Sequence, residues 1–148
     1  MKMDSRPNIL LILSDQQRRD SLGAYGCGYV STPNLDRLAA GGTRYDHAYC
    51  AAPVCTPSRA SILTGKRLSG HGVYNLFDIL PETERLLPAF LRDRGYQTGL
   101  VGKLHVSGIM YECQKRNPGD GFDVYELSHE PNVLPDAPLN AYGRWLRE

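Results

Sequence analysis

The chain has 148 residues, the size of one domain or of part of a larger one, and 17 basic against 16 acidic residues leave a formal charge of +1. With 22% charged and 41% hydrophobic residues, this composition excludes a disordered acidic or basic tail, makes no electrostatic case for nucleic acid, and can supply a core. The longest unbroken aliphatic run, Ile9 to Leu13, is too short to span a membrane.

In chain order, Asn8 to Ser14 is an aliphatic run without polar alternation, which predicts a strand buried on both faces of a parallel sheet. It gives way abruptly to Asp15-Gln16-Gln17-Arg18-Arg19-Asp20, so polar chemistry starts where the strand stops. Gly23 to Gly28 reads as loop; its glycine spacing and context do not match a dinucleotide-binding turn. A helix follows, with Thr32 as N-cap, Pro33 in the first turn, Leu35, Leu38 and Ala39 as the apolar face, and Gly41-Gly42 as the stop. Thr43 to Tyr49 reads as a strand.

From Pro57 to Thr64 a short helix ends at Gly65, which puts Cys55 and Thr56 at its N-terminal mouth. Glu84 to Arg94 reads as an amphipathic helix with Leu86, Leu87, Phe90 and Leu91 on its core stripe; Pro88 makes it either start there or kink. Tyr96 to Val101 is the next strand, ending in Gly102-Lys103-Leu104-His105. Further on, Gly121 to Tyr125 suits a short strand and Leu139 to Arg147 a helix. Alternating strands and helices predict an α/β fold with a mostly parallel sheet flanked by helices.

The four cysteines, Cys27, Cys50, Cys55 and Cys113, form no C-x-x-C pair and no zinc-like spacing. The start of the chain shows no export signal, so the expectation is a cytoplasmic protein with reduced, mostly buried thiols. His47 and His71 have no partner that the sequence names, and read as surface or core residues.

Three polar clusters fall where an α/β sheet places its ligands, beyond the carboxyl ends of strands or at a helix mouth. They are Asp15-Gln16, Cys55 with Arg59 one helical turn on, and Lys103 with His105. A nucleophile, an anion-holding helix end, fixed cations and a hard-oxygen metal ligand together suit attack on an anionic ester.

These blocks carry a family resemblance. Cys55-Thr56-Pro57-Ser58-Arg59 through Gly65 resembles the sulfatase signature, whose core is C-x-P-x-R. Pro7 to Asp15 resembles that family's first strand and metal-binding turn, Thr32 to Ala39 its first helix, and Gly102 to His105 its G-K-x-H segment. The resemblance covers residues 6–106 and weakens over 107–148. It implies the N-terminal fragment of a single catalytic domain with an alkaline-phosphatase-like sandwich fold.

It also implies a sulfuric ester hydrolase. Cys55 would be converted by a maturation enzyme to formylglycine, whose hydrated form attacks the sulfur of a small-molecule sulfate ester. Arg59 would steady the hydrated aldehyde. Lys103 and His105 would hold the sulfate and the formylglycine oxygens. Asp15, Gln16 and position 55 would bind a divalent cation, calcium in the first place, with magnesium or manganese as substitutes. The same chemistry keeps position 55 out of a disulfide with Cys50.

Two departures shape the expectation. Many sulfatases carry Asp-Asp after the first strand, whereas Asp15-Gln16 resembles choline-sulfatase-like and phosphonate-monoester-hydrolase-like members. That opens phosphonate monoesters and phosphodiesters as an alternative substrate class. Family members are also several times longer and draw further ligands from a C-terminal half, so this chain alone is expected to hydrolyse little or nothing. A non-catalytic, truncated or binding chain is the remaining alternative.

Overall fold

The computed structural model describes residues 6–129 and 137–148. The chain divides into two compact units, Met1–Ala48 and Tyr49–Glu148.

In the first unit, two 3-10 turns, Arg19–Ser21 and Gly23–Tyr25, precede helix α1, Pro33–Gly41. Proline in its first turn and glycine at its end bound α1 as expected. Thr32 takes the N-cap position without a side-chain cap bond. Its hydroxyl instead accepts the Gly23 N–H at 2.8 Å and donates to Asp36 Oδ1 at 2.9 Å, and that oxygen also accepts the Ala24 N–H at 2.6 Å. The pair therefore ties the helix to the preceding turn.

The Asn8–Ser14 run is not a strand here: it is irregular, and Leu10 and Ile12 are 84% and 72% exposed. A strand exists only through its ladder, and no described residue pairs with this run. Residues 43–49 are not a strand either. Their polar groups are engaged individually: Tyr45 O accepts from Tyr25 Oη at 2.8 Å, Arg44 donates to Ala24 O at 2.5 Å, and Asp46 pairs with Arg44 at 3.1 Å. Leu35, Leu38 and Ala39 line, with Leu22 and Tyr25, an apolar groove of about 500 Å³, and Leu38 remains 67% exposed.

The second unit holds α2 (Cys55–Thr64), α3 (Leu68–His71), α4 (Leu87–Arg92), β1 (Gly99–Gly102), α5 (Ile109–Glu112), β2 (Val124–Leu127) and α6 (Ala141–Trp145). β1 and β2 pair in parallel, with Gly99 opposite Val124 and Gly102 opposite Leu127. This small parallel sheet with helices is an α/β arrangement, as expected. β1 lies later, and is shorter, than the predicted 96–101 strand. The core gathers Ala60 and Leu63 of α2, Val73, Leu80, Leu86, Leu104, Val106, Cys113, Phe122, Leu127 and Ala137.

Two details set the helix ends. Gly65, at φ 69°, caps α2 by donating its N–H to Ser61 O at 2.9 Å, which a residue with a Cβ would do only under strain. Pro88 lies in the first turn of α4, so the proline starts the helix and does not kink it. The predicted stripe is corrected accordingly. Leu86, Pro88 and Ala89 are buried, whereas Leu87 and Phe90 are 43% and 41% exposed, because a start at residue 87 turns the 86/89 edge inward. The backbone of Gly121, at φ 76°, approaches Ala89 so closely that a Cβ would lie 2.2 Å from its Cα. The cysteines are unbridged, but only Cys113 is buried; Cys50 is exposed and the other two are intermediate.

Candidate active site

α2 begins at Cys55 itself, two residues before the start predicted at Pro57, with Val54 as N-cap. Cys55 is half-buried at the first helical position, where the backbone N–H groups have no intrahelical acceptor and favour an anion. Behind it, Thr56, Pro57 and Arg59 are buried, so one side of the helix start is set into the unit.

The segment after β1 comes to meet this turn. Arg59, only 6% exposed, donates from Nη1 to Lys103 O at 2.7 Å. Thr56 Oγ1 donates to Leu76 O at 2.8 Å and lies 3.0 Å from His105 Nε2. A hydroxyl has one proton, so with that proton on Leu76 O the ring nitrogen must be the donor. His105 thus carries its proton on Nε2, and Nδ1 is a buried nitrogen with no hydrogen-bond partner among the described residues. Burial, with the Lys103 and His129 charges adding to it, pushes the His105 pKa down to about 4, so the ring is neutral at pH 7.

The backbone at His105 is left-handed, φ 55°, a conformation costing a residue with a Cβ about 1–2 kcal/mol. Glu112, at the end of α5 and 2% exposed, compensates for it. Its carboxylate accepts the N–H groups of His105 at 2.6 Å, Val106 at 2.9 Å and Ser107 at 3.3 Å. Oε2 also accepts from His129 Nε2 at 2.7 Å, and the His129 ring stands edge-on to His105 with centroids 5.2 Å apart.

The sequence therefore places Cys55, Arg59, Lys103 and His105 on two segments that the fold joins within one unit. Thr56, which the sequence places at the helix mouth, is found in contact with His105. Glu112 and His129 are not among the sequence candidates, because they are isolated polar residues in a weakly patterned stretch. His71 proves to be a core residue. Its Nδ1 accepts the Val73 N–H at 3.1 Å, so Nε2 carries the proton and donates to Ser61 Oγ at 2.8 Å. That tautomer cannot take a proton from Ser61, and the pair is structural. His47 is exposed.

Asp15 and Gln16 belong to the first unit and are exposed; Gln16 has a left-handed backbone, φ 54°. Their donor atoms are hard oxygens, the chemistry that a calcium-like ion requires. Among the described residues no group of three or more His, Cys, Asp or Glu side chains is gathered to hold a metal ion. The pair fits as part of a donor set.

The family model described as Sulfatase matches residues 7–144. The chain is 42% identical over 147 residues to an arylsulfatase of Clostridium perfringens, covering 97% of this chain and 31% of that protein. It is 40% identical over 163 residues to the human N-acetylgalactosamine-6-sulfatase, covering 96% and 31%. Among solved structures, the phosphonate monoester hydrolase of Agrobacterium radiobacter is similar with a TM-score of 0.74 at 29% identity, over 96% of this chain and 28% of that one. A protein solved in complex with its substrate D-glucosamine-2-N,6-O-disulfate is similar with a TM-score of 0.72 at 33% identity, over 84% and 24%. The chain spans between 22% and 31% of the length of the curated relatives it matches. With the family model covering nearly all of it, the chain belongs to the sulfatase family.

Proposed function

We propose that the complete gene product is a sulfuric ester hydrolase acting on a small-molecule sulfate monoester, with position 55 as the source of its nucleophile. The observation that carries this reading is the junction of the two motif segments. Arg59 reaches the Lys103 carbonyl and Thr56 meets His105, which joins the helix that begins at Cys55 to the segment carrying Lys103 and a neutral His105 imidazole. Groups of these kinds neutralise charge on the non-bridging oxygens of an anionic ester as its bond breaks.

A thiolate is a poor match for a sulfuryl ester, and the family's chemistry is supplied by formylglycine, which contributes a hydrated-aldehyde hydroxyl as nucleophile. A maturation enzyme would make it from Cys55. The residues of the chain then have separable tasks. The N-terminal amides of α2 and the Arg59 guanidinium hold negative charge next to position 55. Lys103 binds a sulfate oxygen. His105, neutral with a bare Nδ1, offers an acceptor for a hydroxyl proton. Asp15 and Gln16 would supply hard oxygen donors for a divalent cation, calcium in the first place. The whole catalytic domain, of which residues 1–148 would be the N-terminal part, would be cytoplasmic.

Two measurements test this reading. The peptide containing position 55, from a host that has the maturation enzyme, should be lighter than its thiol form by about 18 Da. On a panel of an aryl sulfate, a phosphonate monoester and a phosphodiester, the sulfate should be turned over with the highest kcat/KM. A preference for the phosphonate would move the assignment to the hydrolase class represented among the structural neighbours. An unmodified thiol with no turnover of any of the three would favour a non-catalytic chain.

A further inference from the structure

Glu112 is a buried carboxylate whose hydrogen bonds, among the described residues, go to residues 105–107 and to His129. Its geometry is that of an anion cradle turned inside out: the side chain supplies the charge, and three successive main-chain amides wrap around it. The residue it secures is the one with the strained, left-handed backbone. His129 is as deeply buried, with its side chain 0% exposed, and shares Oε2 with the His105 amide.

We propose that Glu112 and His129 are positioning residues for His105: Glu112 holds the left-handed turn at 105–107, and His129 orients that carboxylate while bracing the His105 ring edge-on. The turn directs the ring so that Nε2–H engages Thr56, and this engagement leaves Nδ1 as the basic nitrogen. Remove the clamp, and the backbone at 105 relaxes toward ordinary φ, the Thr56 contact opens, and the ring loses its single tautomer. Only the kinetic consequence rests on the sulfate-ester reading; the structural part does not.

The test uses the complete gene product with 15N-labelled histidine. In the wild type, the His105 ring shows one protonated nitrogen, Nε2, and its backbone amide proton lies far downfield, as a 2.6 Å bond to a carboxylate requires. Glu112→Gln, which exchanges one acceptor oxygen for a donor, and His129→Leu should both move that amide upfield and mix the two His105 tautomers. His129→Gln keeps an N–H for Glu112 and should restore most of the wild-type pattern. Against an aryl sulfate, Glu112→Gln and His129→Leu should lower kcat by about 10- to 100-fold with KM changed by no more than about threefold, and His129→Gln should recover most of the loss.

A His105 amide and tautomer unchanged in both variants would overturn the proposal, even where the unfolding midpoint falls, because that is what a merely structural role predicts. If Glu112→Gln does not fold, the His129→Leu and His129→Gln pair decides alone. If the wild type hydrolyses none of the esters, the functional reading fails while the nitrogen shifts still decide the positioning.

Discussion

The two units use apolar residues in opposite ways. In residues 49–148, Leu80, Leu86 and Leu127 are fully enclosed, and the Glu112 carboxylate and three histidines, His71, His105 and His129, are buried with them. In residues 6–48 no described residue is buried, and an aliphatic run as hydrophobic as any in the chain lies open. A leucine becomes core only when a second surface faces it, and the second unit supplies such surfaces from its own helices, sheet and loops. The first unit is organised by short-range polar ties, Thr32 and Asp36 on the Gly23 turn, and leaves its apolar side chains exposed.

This contrast can be broken by measurement. The largest expected effect concerns chemistry: Cys55→Ala in the complete gene product should lower turnover of an aryl sulfate by more than about 10³-fold in initial-rate assays. Rates left within tenfold would mean that the second unit does not carry the nucleophile. Next comes packing. Leu80→Ala should cost this chain about 2–5 kcal/mol in urea denaturation.

A smaller effect should appear with pH. His105 titrates at about 4 when folded and near 6.5 when unfolded, so the unfolded chain binds the proton first as pH falls. Stability from the neutral ring is complete above pH 6.5 and is lost progressively down to about pH 4. Between pH 7 and 5 the loss should be about 2 kcal/mol, and His71, also held down by burial, adds in the same direction. His105→Gln should flatten the denaturation midpoint over that interval; a wild-type midpoint independent of pH would contradict the buried neutral ring. The smallest effect belongs to the first unit, where Leu10→Ala should change stability by less than about 0.5 kcal/mol. A loss equal to that of Leu80→Ala would erase the contrast between the units.

What could be read in advance follows the same division between local and non-local forces. α1, α2 and α4 announce themselves by proline and glycine at their ends, because capping is decided within a few residues. The 99–102 and 124–127 strands were close to their predicted places. The 8–14 and 43–49 strands were not, since hydrophobic pattern states a need for a partner without naming one. The candidate site divides likewise. Cys55, Arg59, Lys103 and His105 sit in short motifs with recognisable spacing. Glu112 is defined by three amides it does not neighbour on a helix face, and His129 by that carboxylate, so neither has a local pattern to betray it. The Thr56 contact depends on the meeting of segments 49 residues apart.

The Thr56 hydroxyl also imposes a direction of travel. Its one proton is committed to the Leu76 carbonyl, so the adjoining imidazole can only give at Nε2 and only receive at Nδ1. Valine at 56 would match threonine in shape yet silence this polarity, leaving a ring of unaltered position that no longer distinguishes its two ends.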